Sequence, residues 1–325
     1  ASTLATTQSE MVAGLLRSEG LDVNLTTITT HGDTSTASLA AMGGIGVFAS
    51  AIRAALLEGE ADIAVHSFKD LPTGRPLGLA IGAVPARADP RDALVARDGL
   101  TLHDLPQEAS VGTGSPRRAA QLLAVRPDLT IVDIRGNVDT RLGRVKGLGH
   151  YAKGGGKEDL DAVVLAASGL ARLGHSGTVT EFLDPSVVLP APAQGALAVE
   201  CRTADSRHGK LAKALARIDD RRTRLAATAE RAVLSHLEAG CAAPIGALAQ
   251  LKPVSGSSPQ VLTLDVVVAT VDGSRIIREQ VSVELPAEVD SALAAAHTLG
   301  VTAAEELLDD GAADVADLKA SGSTR

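Results

Sequence analysis

Apolar positions along this chain switch repeatedly between helical and strand spacing, and the switches mark out its elements. Leu4, Met11, Val12, Leu15 and Leu16 recur at helical spacing and predict a helix over residues 4–19. Residues 21–29 alternate apolar and polar, the pattern of a half-buried strand. After the polar stretch Thr30-His31-Gly32-Asp33-Thr34 and the segment Gly43-Gly44-Ile45-Gly46, the residues Phe48, Ile52, Ala55 and Leu56 form the apolar face of a second helix. Phe48 stands at its mouth, where a ring can serve the core or face a ligand. Short apolar runs over 61–65 and 79–84 read as buried strands.

The first of these runs feeds His66-Ser67-Phe68-Lys69-Asp70-Leu71-Pro72-Thr73. Polar residues bunched after a buried strand sit at its C-terminal end, where α/β folds bind their ligands. Pro72 lacks the amide hydrogen that a ladder needs, so the strand stops and leaves Lys69 and Asp70 on a turn. Residues 85–91, with two prolines and alternating charge, read as a crossing between domains.

Beyond the crossing, strand-to-helix turns recur. Strand 109–111 leads into Gly112-Thr113-Gly114-Ser115-Pro116-Arg117-Arg118, with Ser115 as N-cap and Pro116 at the first helical position. Strand 129–134 ends in Arg135-Gly136-Asn137, and the next helix carries Arg141 and Arg144; strand 162–166 leads to Ser168-Gly169-Leu170-Ala171-Arg172. Three strand ends thus bring Arg117, Arg118, Arg135, Arg141 and Arg172 toward one edge of a parallel sheet, a cluster suited to carboxylates because guanidinium forks bind them bidentately. Residues 147–157, rich in glycine and lysine, read as a mobile surface loop. Pro190-Ala191-Pro192-Ala193-Gln194-Gly195-Ala196 and the strand 197–200 suit a chain returning to complete the first sheet, with Cys201 after it an inert structural thiol.

The last third reads as a charged stretch over 205–222, a helix over 224–237, and two strands, 261–270 and 275–283, about the hairpin signal Asp272-Gly273. A long Ala-Leu helix over 287–308 covers the small sheet. Cys241, between Gly240 and Ala242 past a helix end, is open to covalent chemistry through its thiolate.

Composition narrows the functional classes. In 325 residues there are three Phe, one Tyr and no Trp, which leaves no platform for stacking nucleic-acid bases, and the net charge of −8 disfavours polyanion binding. The only cysteines, Cys201 and Cys241, lack metal-ligand or disulfide-framework spacing, so a reducing cytoplasm and no metal are expected. Neither an export leader nor a run of some 18 apolar residues is present, which argues against membrane association.

The stretches 66–72, 112–118, 135–142, 169–174, 192–196 and 240–246, in this order, resemble the porphobilinogen deaminase (hydroxymethylbilane synthase) family. The resemblance covers nearly the whole chain. It implies an α/β enzyme of three domains: two lobes similar to type II periplasmic binding proteins, residues 1–86 with 191–215 and residues 87–190, and a small α+β domain with an antiparallel sheet, residues 216–325. It implies head-to-tail joining of four porphobilinogen molecules with loss of ammonia, and release of the linear tetrapyrrole for heme and porphyrin biosynthesis. The primer would be a dipyrromethane held by a thioether to Cys241. By match to the family, Asp70 is the catalytic carboxylate, and Ser2, Ser67, Lys69, Thr113, Ser115, Arg117, Arg118, Arg135, Asn137, Arg141, Arg172 and Gln194 contact cofactor or substrate, with Phe48 over the rings. The family's first strand carries a Gly-Thr-Arg triplet just before the position of Ser2, and the given sequence begins after it. A cytoplasmic monomer without nucleotide or nucleic acid, handing its product to uroporphyrinogen-III synthase, is the expected setting. The alternative from the residues alone is a non-enzymatic two-lobed binder of a small carboxylate or oxyanion.

Overall fold

The computed structural model describes residues 2–28, 46–74, 76–239, 243–252 and 260–316. They form a mixed α/β structure with three sheets among the described residues. Helix α1 (Thr3–Ser18) starts where the Ser2 hydroxyl accepts from Ala5 N at 3.2 Å, and it buries Val12, Ala13 and Leu16. Residues 21–28 join no ladder. Their alternation does turn Leu21 and Val23 toward the core, but a strand also needs a paired neighbour, and none lies beside them among the described residues.

Helix α2 (Gly46–Glu58) precedes β1 (Ile63–Ser67), β2 (Leu79–Ala83) and, much later, β8 (Leu197–Arg202). The returning strand β8 completes the first sheet, as the sequence suggested, and lies between β1 and β2, antiparallel to both. Its first five residues are buried, including Cys201, whose thiol pKa is raised by burial first and Asp205 second.

The second sheet runs β5 (Thr130–Val132), β4 (Ser110–Gly112), β6 (Ala162–Ala166), β3 (Asp92–Ala96), β7 (Glu181–Phe182). Strands β5, β4 and β6 are mutually parallel, whereas β3 runs antiparallel to both its neighbours, β6 and β7. The turns into α3 (Pro116–Val125), α4 (Val138–Leu142) and α5 (Ala167–Arg172) therefore share one edge. Strand β3 corrects the sequence reading, which passed over 92–96 after the proline-rich crossing. The segment 147–157, read as a surface loop, is largely exposed and holds a 3-10 turn at Gly149–Tyr151, and Gly156 N donates to Gly149 O at 2.9 Å. A Cβ on Gly156 would overlap the backbone of Gly143, so the glycine there permits close packing.

Helix α6 (Gly209–Ile218) lies in the stretch read only as charged, and α7 (Arg221–His236) is capped by Asp220, which accepts from Thr223 N at 2.7 Å. The third sheet is a meander of β9 (Ile245–Leu251), β10 (Val261–Ala269) and β11 (Ile276–Glu284), one strand more than the two expected. Helices α7 and α8 (Val289–Asp309) cover it, and short α9 (Ala312–Val315) closes its core. The two helices cross at Gly300, where a Cβ would stand 2.7 Å from Ala232 Cβ and press on Ala229 O. Gly300→Val should therefore force the helices apart and lower the unfolding free energy by about 1–3 kcal/mol, measurable as an earlier denaturant midpoint.

Both crossings between the first two sheets are tied to α7. Arg87, on the outgoing segment, donates to Glu230 Oε1 at 2.6 Å and Oε2 at 3.0 Å, while Ala193 N, on the returning one, donates to Oε2 at 2.6 Å. Ala249 N of β9 adds a further bond at 2.8 Å, so this fully buried carboxylate is well satisfied. No described helix is long and apolar enough to cross a membrane.

Candidate active site

Strand β1 delivers the turn that the sequence pointed to. Ser67 pairs with Leu197 of β8, and Phe68 N donates to Ala196 O at 3.0 Å. The chain then makes one 3-10 turn, Phe68–Asp70, with Phe68 buried, Lys69 half-buried and Asp70 exposed. Burial lowers the pKa of the Lys69 ammonium, Asp70 opposes that, and Arg118 adds to it.

The parallel strand ends of the second sheet face this turn across a cavity of about 520 Å³. Ser2, Ser67, Lys69, Asp70, Arg118, Asn137, Arg141 and Arg172 all line it. Asn137 caps α4, accepting from Thr140 N at 2.8 Å, and Arg141 donates through Nε to Gly136 O at 2.9 Å. Arg172 donates through Nη2 to Gly195 O at 2.7 Å, but its buried Nε has no partner among the described residues. Burial lowers the pKa of both arginines, and for Arg141 the Arg118 charge adds to it. Crowded, partly desolvated cations of this kind favour an anionic ligand.

Behind the cavity lies a carboxylate that the sequence reading did not single out. Asp92, the first residue of β3 and fully buried, accepts from Arg117 Nη1 at 2.7 Å, Arg118 Nη2 at 2.7 Å and Nε at 2.9 Å, and Gln194 Nε2 at 2.8 Å. Burial alone would raise its pKa, but the charges of Arg117 and Arg118 and their hydrogen bonds hold the carboxyl well below the usual range. Gln194 turns its other end to Lys69 Nζ, accepting at 3.4 Å. The signal available beforehand was slight, one acidic residue opening the apolar run Asp92-Ala93-Leu94-Val95-Ala96.

Other expected contacts lie elsewhere. Arg117 is absent from the cavity lining, its guanidinium directed at Asp92 and at Leu189 O, 2.6 Å away. Arg135 is exposed and pairs loosely with Asp133 at 3.5 Å. Ser115 is the N-cap residue of α3 but makes no side-chain cap bond; instead the Thr113 hydroxyl accepts from Ser115 N at 3.2 Å. Thr113 is buried, and neither it nor Ser115 or Gln194 lines the cavity. The Phe48 side chain and Cys241 lie outside the described residues.

Comparison with known proteins gives the geometry its context. A family model described as porphobilinogen deaminase, dipyromethane cofactor binding domain, matches residues 1–210, and one described as porphobilinogen deaminase, C-terminal domain, matches 224–309. A porphobilinogen deaminase of Cutibacterium acnes is 97% identical over 325 residues, covering 100% of this chain and 97% of that protein. The chain belongs to the porphobilinogen deaminase family. Further members from Micrococcus luteus (51% identical, 96% of this chain and 91% of the relative) and Leifsonia xyli (52%, 98% and 93%) match over nearly their whole lengths. As a porphobilinogen deaminase the chain is a transferase, and the alternative of a non-enzymatic anion binder has no support.

The lining fits the dipyrromethane that the family's domain is described as binding. Lys69, Arg118, Arg141 and Arg172 outnumber the acidic Asp70 and Asp139, and Arg172 Nε, without a partner among the described residues, supplies a buried donor in want of an acceptor. Gln8 and Asp139 also line the cavity, though neither was among the expected contacts. Gln8 donates to Ser67 Oγ at 2.9 Å, fixing α1 to the end of β1. Asp139 lies 2.7 Å from His175 Nε2, and the His175 ring meets Tyr151 edge-on at 5.1 Å, so a polar and aromatic group backs this part of the wall. No cluster of three His, Cys, Asp or Glu side chains able to hold a metal occurs among the described residues.

Proposed function

We propose that this chain joins porphobilinogen molecules head to tail, four per product, with release of ammonia at each addition and hydrolytic release of hydroxymethylbilane at the end. The observation that carries the site assignment is the position of Asp70, an exposed carboxylate in a wall shared with Lys69, Arg118, Arg141 and Arg172. Loss of ammonia from the aminomethyl group leaves positive charge on a pyrrole, and attack on that carbon passes the charge to a second ring. A carboxylate fixed nearby stabilises both cations, and its oxygen can accept the pyrrole N–H and then take up the proton lost when the ring regains aromaticity. The arginines and Lys69 hold the acetate and propionate groups, which orients each ring toward Asp70. When bound, the dipyrromethane supplies the nucleophilic pyrrole carbon from which the product grows, and Cys241 is the residue we assign to hold it through a thioether.

The crossings at 84–91 and 190–196 and the separate cores of the three sheets support a three-domain division: 1–86 with 191–215, 87–190 and 216–325. A cytoplasmic monomer that passes its product on directly is the setting we infer. Intact-mass measurement tests the attachment. The purified protein should exceed its polypeptide mass by one dipyrromethane and colour with Ehrlich's aldehyde reagent, and Cys241→Ser should do neither; retention of the added mass by the variant would remove Cys241 from the role.

A further inference from the structure

We propose that Arg231, on the helix leading toward Cys241, is a positioning residue that fixes the Asp70 turn for catalysis. The turn has little to hold it by itself. Phe68–Asp70 is a single 3-10 turn closed by one long backbone bond, Leu71 N to Phe68 O at 3.4 Å, and the Pro72 that follows has no N–H to add another. Its carbonyls are instead gathered by a guanidinium from a distant part of the chain. Arg231 Nη1 donates to Phe68 O at 2.9 Å and to Leu71 O at 2.7 Å, and Nη2 donates to Pro72 O at 2.8 Å. These acceptors bracket Asp70 on both sides. The same guanidinium lies 4.4 Å over the Phe68 ring, so the side chain before Asp70 is pinned as well as the backbone.

The helix that presents Arg231 is itself held. The preceding residue, Glu230, takes two bonds from Arg87 and one each from Ala193 N and Ala249 N, so α7 is fixed to both crossings and to the third sheet. Arg231 thus ties the Asp70 carboxylate to the same rigid helix whose C-terminal end, at His236, lies five residues before Cys241. A planar fork can gather three carbonyls and stack on a ring together, which a lysine ammonium cannot do. The inference rests on the catalytic role proposed for Asp70.

The test compares Arg231→Lys and Arg231→Gln with Asp70→Ala, each purified, checked by intact mass for bound cofactor and by thermal melting, and assayed with porphobilinogen. Misplacement of a catalytic group by an ångström can cost about 10²-fold in rate. Arg231→Gln should accordingly lower kcat by about a hundredfold and Arg231→Lys by about tenfold, with KM within twofold of the parent and the cofactor mass retained. Unchanged kcat with only a lower melting temperature, a rise in KM that accounts for the loss, or a protein without cofactor would each overturn the proposal. If Arg231→Gln does not fold, Arg231→Lys decides on the same criteria. Should Asp70→Ala keep its activity, the reading of the site fails; should Asp70→Ala be inactive while Arg231→Lys keeps full kcat, only the positioning role fails.

Discussion

Replacing Asp70 by alanine is expected to lower kcat by about 10³-fold or more, the scale of losing a general acid–base group that also stabilises charge, with little effect on folding. Asp70 is exposed, takes part in none of the hydrophobic clusters, and sits on a turn secured by Phe68 and its neighbours and by Arg231. Removing its carboxylate leaves those contacts standing. Steady-state assays with porphobilinogen, beside a melting curve, separate the two effects: kcat should collapse while the melting temperature stays close to the parent's. Asp70→Asn keeps the size and an acceptor oxygen but not the charge or the basicity, and should be nearly as inactive. Activity near the parent's in either variant would remove Asp70 from the centre of the chemistry.

The second large effect is expected behind the cavity. Asp92→Asn should destabilise the protein by about 3–5 kcal/mol, because it leaves two buried guanidinium groups without their counter-charge. Arg117 and Arg118 are 4% and 6% exposed, so water cannot replace the carboxylate. Activity should fall too, since Arg118 and Gln194 both rest on Asp92 and Gln194 accepts from Lys69. The pH dependence has a definite sign. A carboxyl depressed in the folded state contributes stability above its ordinary value of 3.8 and loses it only as the pH falls through the lower folded value. The stability gap between parent and Asp92→Asn, read from urea unfolding, should therefore be full at neutral pH, persist near pH 4, and close only in stronger acid. A gap that shrinks as the pH rises would contradict this account.

The pattern of the sequence revealed elements that carry their own local signals. Pro116 after Ser115 marked the start of α3, Asp272-Gly273 marked the β10–β11 hairpin, and the bunched polar residues after β1 marked the turn with Asp70. Elements that depend on partners were harder to see. Strands β3 and β9 are short apolar runs next to prolines, and each exists because another strand pairs with it, the distant β6 for one and the following β10 for the other. Residues 21–28 show the converse, alternation without a ladder. The arginine cluster was legible as charge, but not what each arginine would touch. Asp92 precedes Arg117 and Arg118 by 25 and 26 residues, and only the antiparallel insertion of β3 beside β6 brings it under them. That is why Arg118 lines the cavity while Arg117, one residue before it, turns to the carbonyl of Leu189.

Tyr151 is the only tyrosine in a chain without tryptophan, and it stands against His175, the partner of cavity-lining Asp139. The protein's ultraviolet emission therefore originates from one phenol, linked to the cavity wall through His175 and Asp139. Quenching or recovery of that glow registers changes passed along this contact without an attached dye, and pyrrole absorbance can be followed over a background free of indole.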